Sequence, residues 1–113
     1  MSLATVRLTA HEKRGIREAV EEVSARLGLS WKRISLFGSR ANPLAKGGDI
    51  DLYIEIESPP GVDTAAFSSA LRIELEDRIG ERKVDLVIDD GRRDLGAFGE
   101  IVKRTKVDLW TTS

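Results

Sequence analysis

The sequence predicts a small α/β (α+β) fold, a mixed β-sheet with helices packed mainly on one face. Stretches with apolar residues at helical spacing are interleaved with stretches of strict two-residue alternation. Their order reads helix, strand, loop, strand, helix, strand, helix, strand. The helical stretch between the second and third strands is long enough to serve as the crossover that parallel neighbours need. This pattern specifies the elements but not their order in the sheet.

Thr9 and Glu12 have the spacing of a capping box, which marks a helix start. Ile16, Ala19, Val20, Val23 and Leu27 then form one apolar stripe, and Gly28 is a natural stop. Trp31 to Phe37 reads as a strand broken by Gly38-Ser39. Asn42-Pro43 through Gly47-Gly48 reads as a loop. Asp49 to Ile56 is the clearest strand, because Ile50, Leu52, Ile54 and Ile56 alternate with Asp49, Asp51, Tyr53 and Glu55. Pro59-Pro60-Gly61 ends it. Asp63 can cap a helix whose apolar positions are Phe67, Leu71, Leu75 and Ile79, closed by Gly80. Arg82 to Ile88 is a third strand, with Val84, Leu86 and Ile88 on one face and Lys83, Asp85 and Val87 on the other. Leu95 to Arg104 reads as a short helix and Val107 to Trp110 as an edge strand.

Length and composition narrow the functions available. The 113 residues, 41% hydrophobic and 33% charged, suit one domain spanning residues 1–113. A chain of this size buries roughly two-thirds of its unfolded surface, leaving no room for a second substrate-binding domain. A second body is therefore expected to supply part of any site. There is no Cys, which excludes disulfides, thiolate metal sites and a cysteine nucleophile. His11 is the single histidine and is expected in an exposed first helical turn, so a multi-histidine metal site is excluded. No apolar run approaches the ~20 residues that span a bilayer. The N-terminus lacks the basic region and apolar run of a signal peptide, and a cytoplasmic protein is expected. Eighteen Lys and Arg against nineteen Asp and Glu give a net charge of −1, not the footprint of a nucleic-acid-binding module. Single nucleotides stay compatible, because a metal ion can supply the positive charge.

The carboxylates carry the chemical signal. Residues i and i+2 of a strand share a face, so Asp49 and Asp51 point the same way while Ile50 and Leu52 enter the core. Two such carboxylates repel unless a cation neutralises them, and they suit Mg²⁺, which takes a few carboxylates plus substrate phosphates. Taken alone, the pair also fits the wet face of an amphipathic strand. Gly38-Ser39 follows a strand, and nine residues separate Ser39 from Asp49. Glycine lets a phosphate approach the backbone, and the N–H groups after it can face an anion. Taken alone, the dipeptide is equally a simple turn. It is not a Walker A loop, since no Gly-Lys-Ser/Thr follows. Asp85 lies on the polar face of the third strand. If that strand neighbours Asp49–Ile56, three carboxylates converge, enough for two metal ions roughly 4 Å apart.

Leu36-Phe37-Gly38-Ser39-Arg40-Ala41, then Asp49-Ile50-Asp51-Leu52, then Val84-Asp85-Leu86-Val87 resemble the minimal nucleotidyltransferases of the polymerase-beta-like nucleotidyltransferase superfamily. The resemblance covers about residues 30 to 110. It implies a nucleotidyltransferase-like fold. It also implies that Gly38 and Ser39 hold a nucleoside triphosphate, with Arg40 on phosphate. Asp49, Asp51 and Asp85 would bind two Mg²⁺ ions, and Asp85 would help deprotonate the attacking hydroxyl. Many small relatives are antitoxins beside a HEPN-domain ribonuclease toxin, and some transfer AMP from ATP to a toxin tyrosine.

Three functions follow as expectations. The first is an enzyme that transfers a nucleoside monophosphate to a hydroxyl. The second is an antitoxin that neutralises a partner by occlusion without catalysis. The third is a nucleotide-sensing domain that binds a triphosphate without releasing pyrophosphate. Each is compatible with a homo-oligomer. Tyr53 is expected as a half-buried strand aromatic, Trp31 and Trp110 as core or interface residues, and Glu74, Glu76 and Asp77 as a charged helix face.

Overall fold

A computed structural model describes residues 8–38, 49–57, 59–80, 83–92 and 94–112. The elements are α1 (Ala10–Leu27), β1 (Ser30–Phe37), β2 (Ile50–Glu57), α2 (Thr64–Ile79), β3 (Val84–Asp89), α3 (Gly96–Thr105) and β4 (Val107–Thr111). The predicted order is the observed order, with ends displaced by one or two residues.

α1 starts where its capping box places it. Glu12 N–H donates to the Thr9 hydroxyl at 3.0 Å, and Thr9 N–H donates back to the Glu12 carboxylate at 2.9 Å. Gly28 ends the helix in the left-handed conformation, φ 70°. The Asp63 side chain caps α2 by accepting from Ala65 N–H at 2.9 Å. Both helices lay their apolar stripes on one face of the sheet, where Ile16, Val20, Phe67 and Leu71 are fully buried against Ile34, Leu36, Leu52 and Ile54.

The sheet is mixed, with strand order β3-β2-β1-β4. β1 pairs antiparallel with both β2 and β4, while β2 and β3 are parallel and joined by the α2 crossover. In β1 the register shifts between Trp31 and Arg33. This bulge turns Trp31 toward the core while Arg33 joins Ser35 and Phe37 on the other face.

The helices cross closely where Gly15 faces Ile79. A Cβ on Gly15 would lie 2.3 Å from Ile79 Cγ2. Ion pairs flank this contact. Arg78 reaches Glu18 at 3.0 Å and Glu74 at 2.9 Å, and Arg26 reaches Glu74 at 3.0 Å. Glu74, on the charged face of α2, has a side chain only 17% exposed. The hydrogen bond from Arg26, together with Arg78, holds its carboxyl below the usual range against the effect of burial.

The second face of the sheet is polar. Tyr53 is 1% exposed rather than half-buried, with Lys106 over its ring. Its hydroxyl donates to the Asp89 carboxylate. Ser35 donates to Asp108 at 2.8 Å, and Lys106 pairs with the same carboxylate. α3 meets this face through Phe98, which packs edge-on against Phe37. Among the described residues, no helix is long and apolar enough to cross a membrane.

Candidate active site

Parallel pairing of β2 with β3 sets Asp51 directly beside Asp85. Antiparallel pairing of β2 with β1 sets Asp51 opposite Phe37, the residue before Gly38. One row across the second face therefore reads Asp85, Asp51, Phe37, and it ends at the glycine turn. Alternation does the local work: Ile50, Leu52, Val84 and Leu86 go to the core side, so the acids between them go outward. Ile50 N–H donates to Lys83 O at 3.1 Å, which fixes the two strand starts level with each other.

Gly38 has φ 70°, and a Cβ there would lie 2.2 Å from Asp51 Oδ2. The turn is thus moulded onto the Asp51 carboxylate, and only glycine permits both the backbone and the contact. Asp49 stands just outside β2. Its carboxylate is 50% exposed and pairs with Lys83 Nζ at 3.7 Å.

The Asp51 carboxyl is pushed up to about 6. Burial contributes most. The hydrogen bond with the Asp85 carboxyl and the charges of Asp85 and Asp49 add to it, while Lys83 works the other way. Two carboxyl groups this close share a proton below about pH 6, or a cation above it.

This donor set fits a divalent cation. It offers hard carboxylate oxygens on an open face, and a cation would relieve the repulsion among them. The fit is to a pair of protein ligands rather than a closed cage. Among the described residues, no three acidic, His or Cys side chains are gathered closely enough to hold an ion. Asp49 is drawn to Lys83 instead. Substrate phosphates would then complete the coordination, as is usual for Mg²⁺.

Of the residues singled out from sequence, Gly38, Asp51 and Asp85 are brought together, and Asp49 stands close enough for its charge to act on Asp51. Ser39 and Arg40 lie outside the described residues, as does the loop through Gly48. Sequence reasoning passed over Lys83 and Arg72. With Glu76, Val84 and Asp85 they line a cleft of about 220 Å³ beside the acids. Lys83 carried a usable signal, since it shares the strand face of Asp85 two residues on. Arg72 carried none, because only the α2 crossover brings its guanidinium to donate to Val84 O. Two larger hollows, of about 430 and 540 Å³, open around Lys32 and Glu57 and include none of Asp49, Asp51 and Asp85.

A mixed sheet that sets paired acids on neighbouring parallel strands beside a glycine turn has the makings of a metal-assisted phosphoryl-chemistry enzyme. Residues 16–111 match the family model for the nucleotidyltransferase domain, and the chain belongs to that family. It is accordingly a transferase of nucleotidyl groups, a class that takes a nucleoside triphosphate as substrate and usually a divalent metal. No curated protein matches the chain.

Proposed function

We propose that the protein is a cytoplasmic, Mg²⁺-dependent adenylyltransferase. It moves AMP from ATP to a hydroxyl, the acceptor being a tyrosine of a HEPN-type toxin that is thereby silenced. The observation that carries the reaction is the in-register pair Asp51 and Asp85 beside Gly38, within a nucleotidyltransferase domain. The acceptor rests on the resemblance to the minimal nucleotidyltransferases.

In this reading Asp49, Asp51 and Asp85 hold the divalent ions, and Gly38, Ser39 and Arg40 hold the triphosphate. Bound divalent ions would neutralise phosphate charge and stabilise the pyrophosphate as it leaves. Asp85, the most outward of the three on the β3 edge, takes the proton of the acceptor hydroxyl as its oxygen bonds to the α-phosphorus. The bond from that phosphorus to the bridging oxygen of the β-phosphate breaks in the same displacement.

The test is transfer of labelled AMP to a co-purified toxin partner with ATP and Mg²⁺. Asp49→Asn with Asp51→Asn should abolish the label while the protein remains folded. Labelling that persists in this double variant removes both residues from the mechanism. A second reading, neutralisation by occlusion, draws support from the Lys83 contact that keeps Asp49 apart from the other two acids. It requires the double variant to neutralise the toxin as well as the parent does, without ATP.

A further inference from the structure

An isolated exposed apolar side chain needs no explanation. Phe98 is set apart by where it stands. It is 58% exposed, yet its ring is fixed edge-on against Phe37, with centroids 6.0 Å apart and planes at 76°. Phe37 is the in-register neighbour of Asp51, and Asp51 of Asp85. Neighbouring strands are about 4.8 Å apart, so the exposed phenyl stands on the order of 10 Å from the acid pair. In a nucleotide, one ribose separates the base from the α-phosphate, and that reach matches this gap.

The edge contact with Phe37 occupies only part of the ring. α3 is anchored through Gly99 and Val102, which are buried, while Phe98 and Ile101, three residues apart, stay more than half exposed. Ile101 is 51% exposed and extends the apolar strip by one turn. The strip lies on the side of the acids toward β1, where the Gly38 turn also lies. A nucleotide whose phosphates lie at that turn and at the acids therefore has its base on this side of the site.

We infer that Phe98 is the platform on which the base of the nucleoside triphosphate stacks, with Ile101 along its edge. This rests on the nucleotidyl-transfer reading and adds to it the class of base. A phenyl face offers no hydrogen bond to a base edge. Stacking of this kind tolerates any base and grows with π-surface. ATP and GTP should bind within about threefold of each other, and CTP and UTP more weakly.

The experiment is calorimetric titration of the full chain with Mg²⁺ and α,β-methylene ATP, which cannot be cleaved at the reacting bond. Inorganic tripolyphosphate with Mg²⁺ serves as the phosphate-only probe. Phe98→Ala should bind the nucleotide about tenfold more weakly and tripolyphosphate as the parent does. Phe98→Tyr should restore the nucleotide affinity. The platform is overturned if Phe98→Ala binds the nucleotide like the parent, if both probes weaken equally, or if the parent binds no nucleotide. Unchanged nucleotide binding by Phe98→Ala in a protein that still transfers AMP overturns the platform alone. Failed transfer to the toxin, with the Phe98→Ala loss intact, overturns the acceptor reading alone.

Discussion

Gly38 holds the Asp51 carboxylate in place by having no side chain: a Cβ at position 38 would come within 2.2 Å of Asp51 Oδ2. Its φ of 70° adds a conformation that alanine adopts only at a cost of about 1–2 kcal/mol. Gly38→Ala must therefore either unwind the turn or push Asp51 away from Asp85. The position is exposed at the end of a strand, so the fold should survive with a modest loss of stability. Displacement of a reacting group by about 1 Å costs on the order of a hundredfold in rate. We expect pyrophosphate release to fall by about that factor, with a thermal midpoint only a few degrees lower. A Gly38→Ala protein of full activity would show that the turn does not position the carboxylate.

The same acid pair gives the metal-free protein a pH dependence. The folded-state Asp51 carboxyl is raised to about 6, above its ordinary 3.8, so the folded chain binds a proton that the unfolded chain releases. Stability from this group is greatest below about pH 4, falls as pH rises through 6, and stays low above it. Asp51→Asn removes the repulsion, and the variant should be more stable than the parent at pH 7.5 and no more stable at pH 4. Mg²⁺ competes with that proton, so it should raise the thermal midpoint of the parent more at pH 7.5 than at pH 5. Melting curves of both proteins across this range, with and without Mg²⁺, check the two signs. Equal shifts with Mg²⁺ at both pH values would separate the metal from this carboxyl.

Local signals were the legible ones. The Thr9–Glu12 box and the alternation of Ile50, Leu52, Ile54 and Ile56 act within a few residues, and each set an element and its buried face. The family pattern likewise pointed to Gly38, Asp51 and Asp85 as a group. Their contact depends on a parallel register between strands 34 residues apart at Asp51 and Asp85, which no short window encodes. Tyr53 looked half-buried because its own strand alternates, but Lys106, from the far edge of the sheet, covers it. Glu74 looked like one of three acids on a charged helix face, but Arg78 pairs with it from its own helix and α1 delivers Arg26 to it as well. Phe98 gave no signal, since an apolar residue in a short amphipathic helix reads as core.

The crossing of α1 on α2 leaves no room at Gly15. Alanine is the better helix former by about 1 kcal/mol, which on its own would stabilise α1. Its Cβ, however, would sit 2.3 Å from Ile79 Cγ2, a methyl held close to its own backbone in a 4%-exposed residue. Overpacking of this kind costs about 1–3 kcal/mol, so the clash outweighs the propensity. Gly15→Ala should lower stability by about 1 kcal/mol, read as a lower urea midpoint at unchanged slope. Leucine has no branch at Cβ, so Ile79→Leu in the Gly15→Ala background should recover part of the loss non-additively. Purely additive effects would place the strain elsewhere.

Tyr53 is the single tyrosine of the chain, so its ionisation can be followed without ambiguity. Burial first, then the hydrogen bond to Asp89 and the charges of Asp89 and Glu55, push the phenol well above its ordinary 10.0. The folded chain therefore keeps this proton when the unfolded chain loses it, and stability declines as pH rises past about 10. Absorbance at the tyrosinate band should stay flat in the native protein beyond that pH and rise only as the chain unfolds. In concentrated urea the same band should titrate at about pH 10. Removing the carboxylate with Asp89→Asn relieves the charge but not the burial, so the native midpoint should drop only part of the way. A native chain that titrates reversibly near pH 10, with its far-ultraviolet circular dichroism unchanged, would show that the hydroxyl is neither buried nor engaged by Asp89.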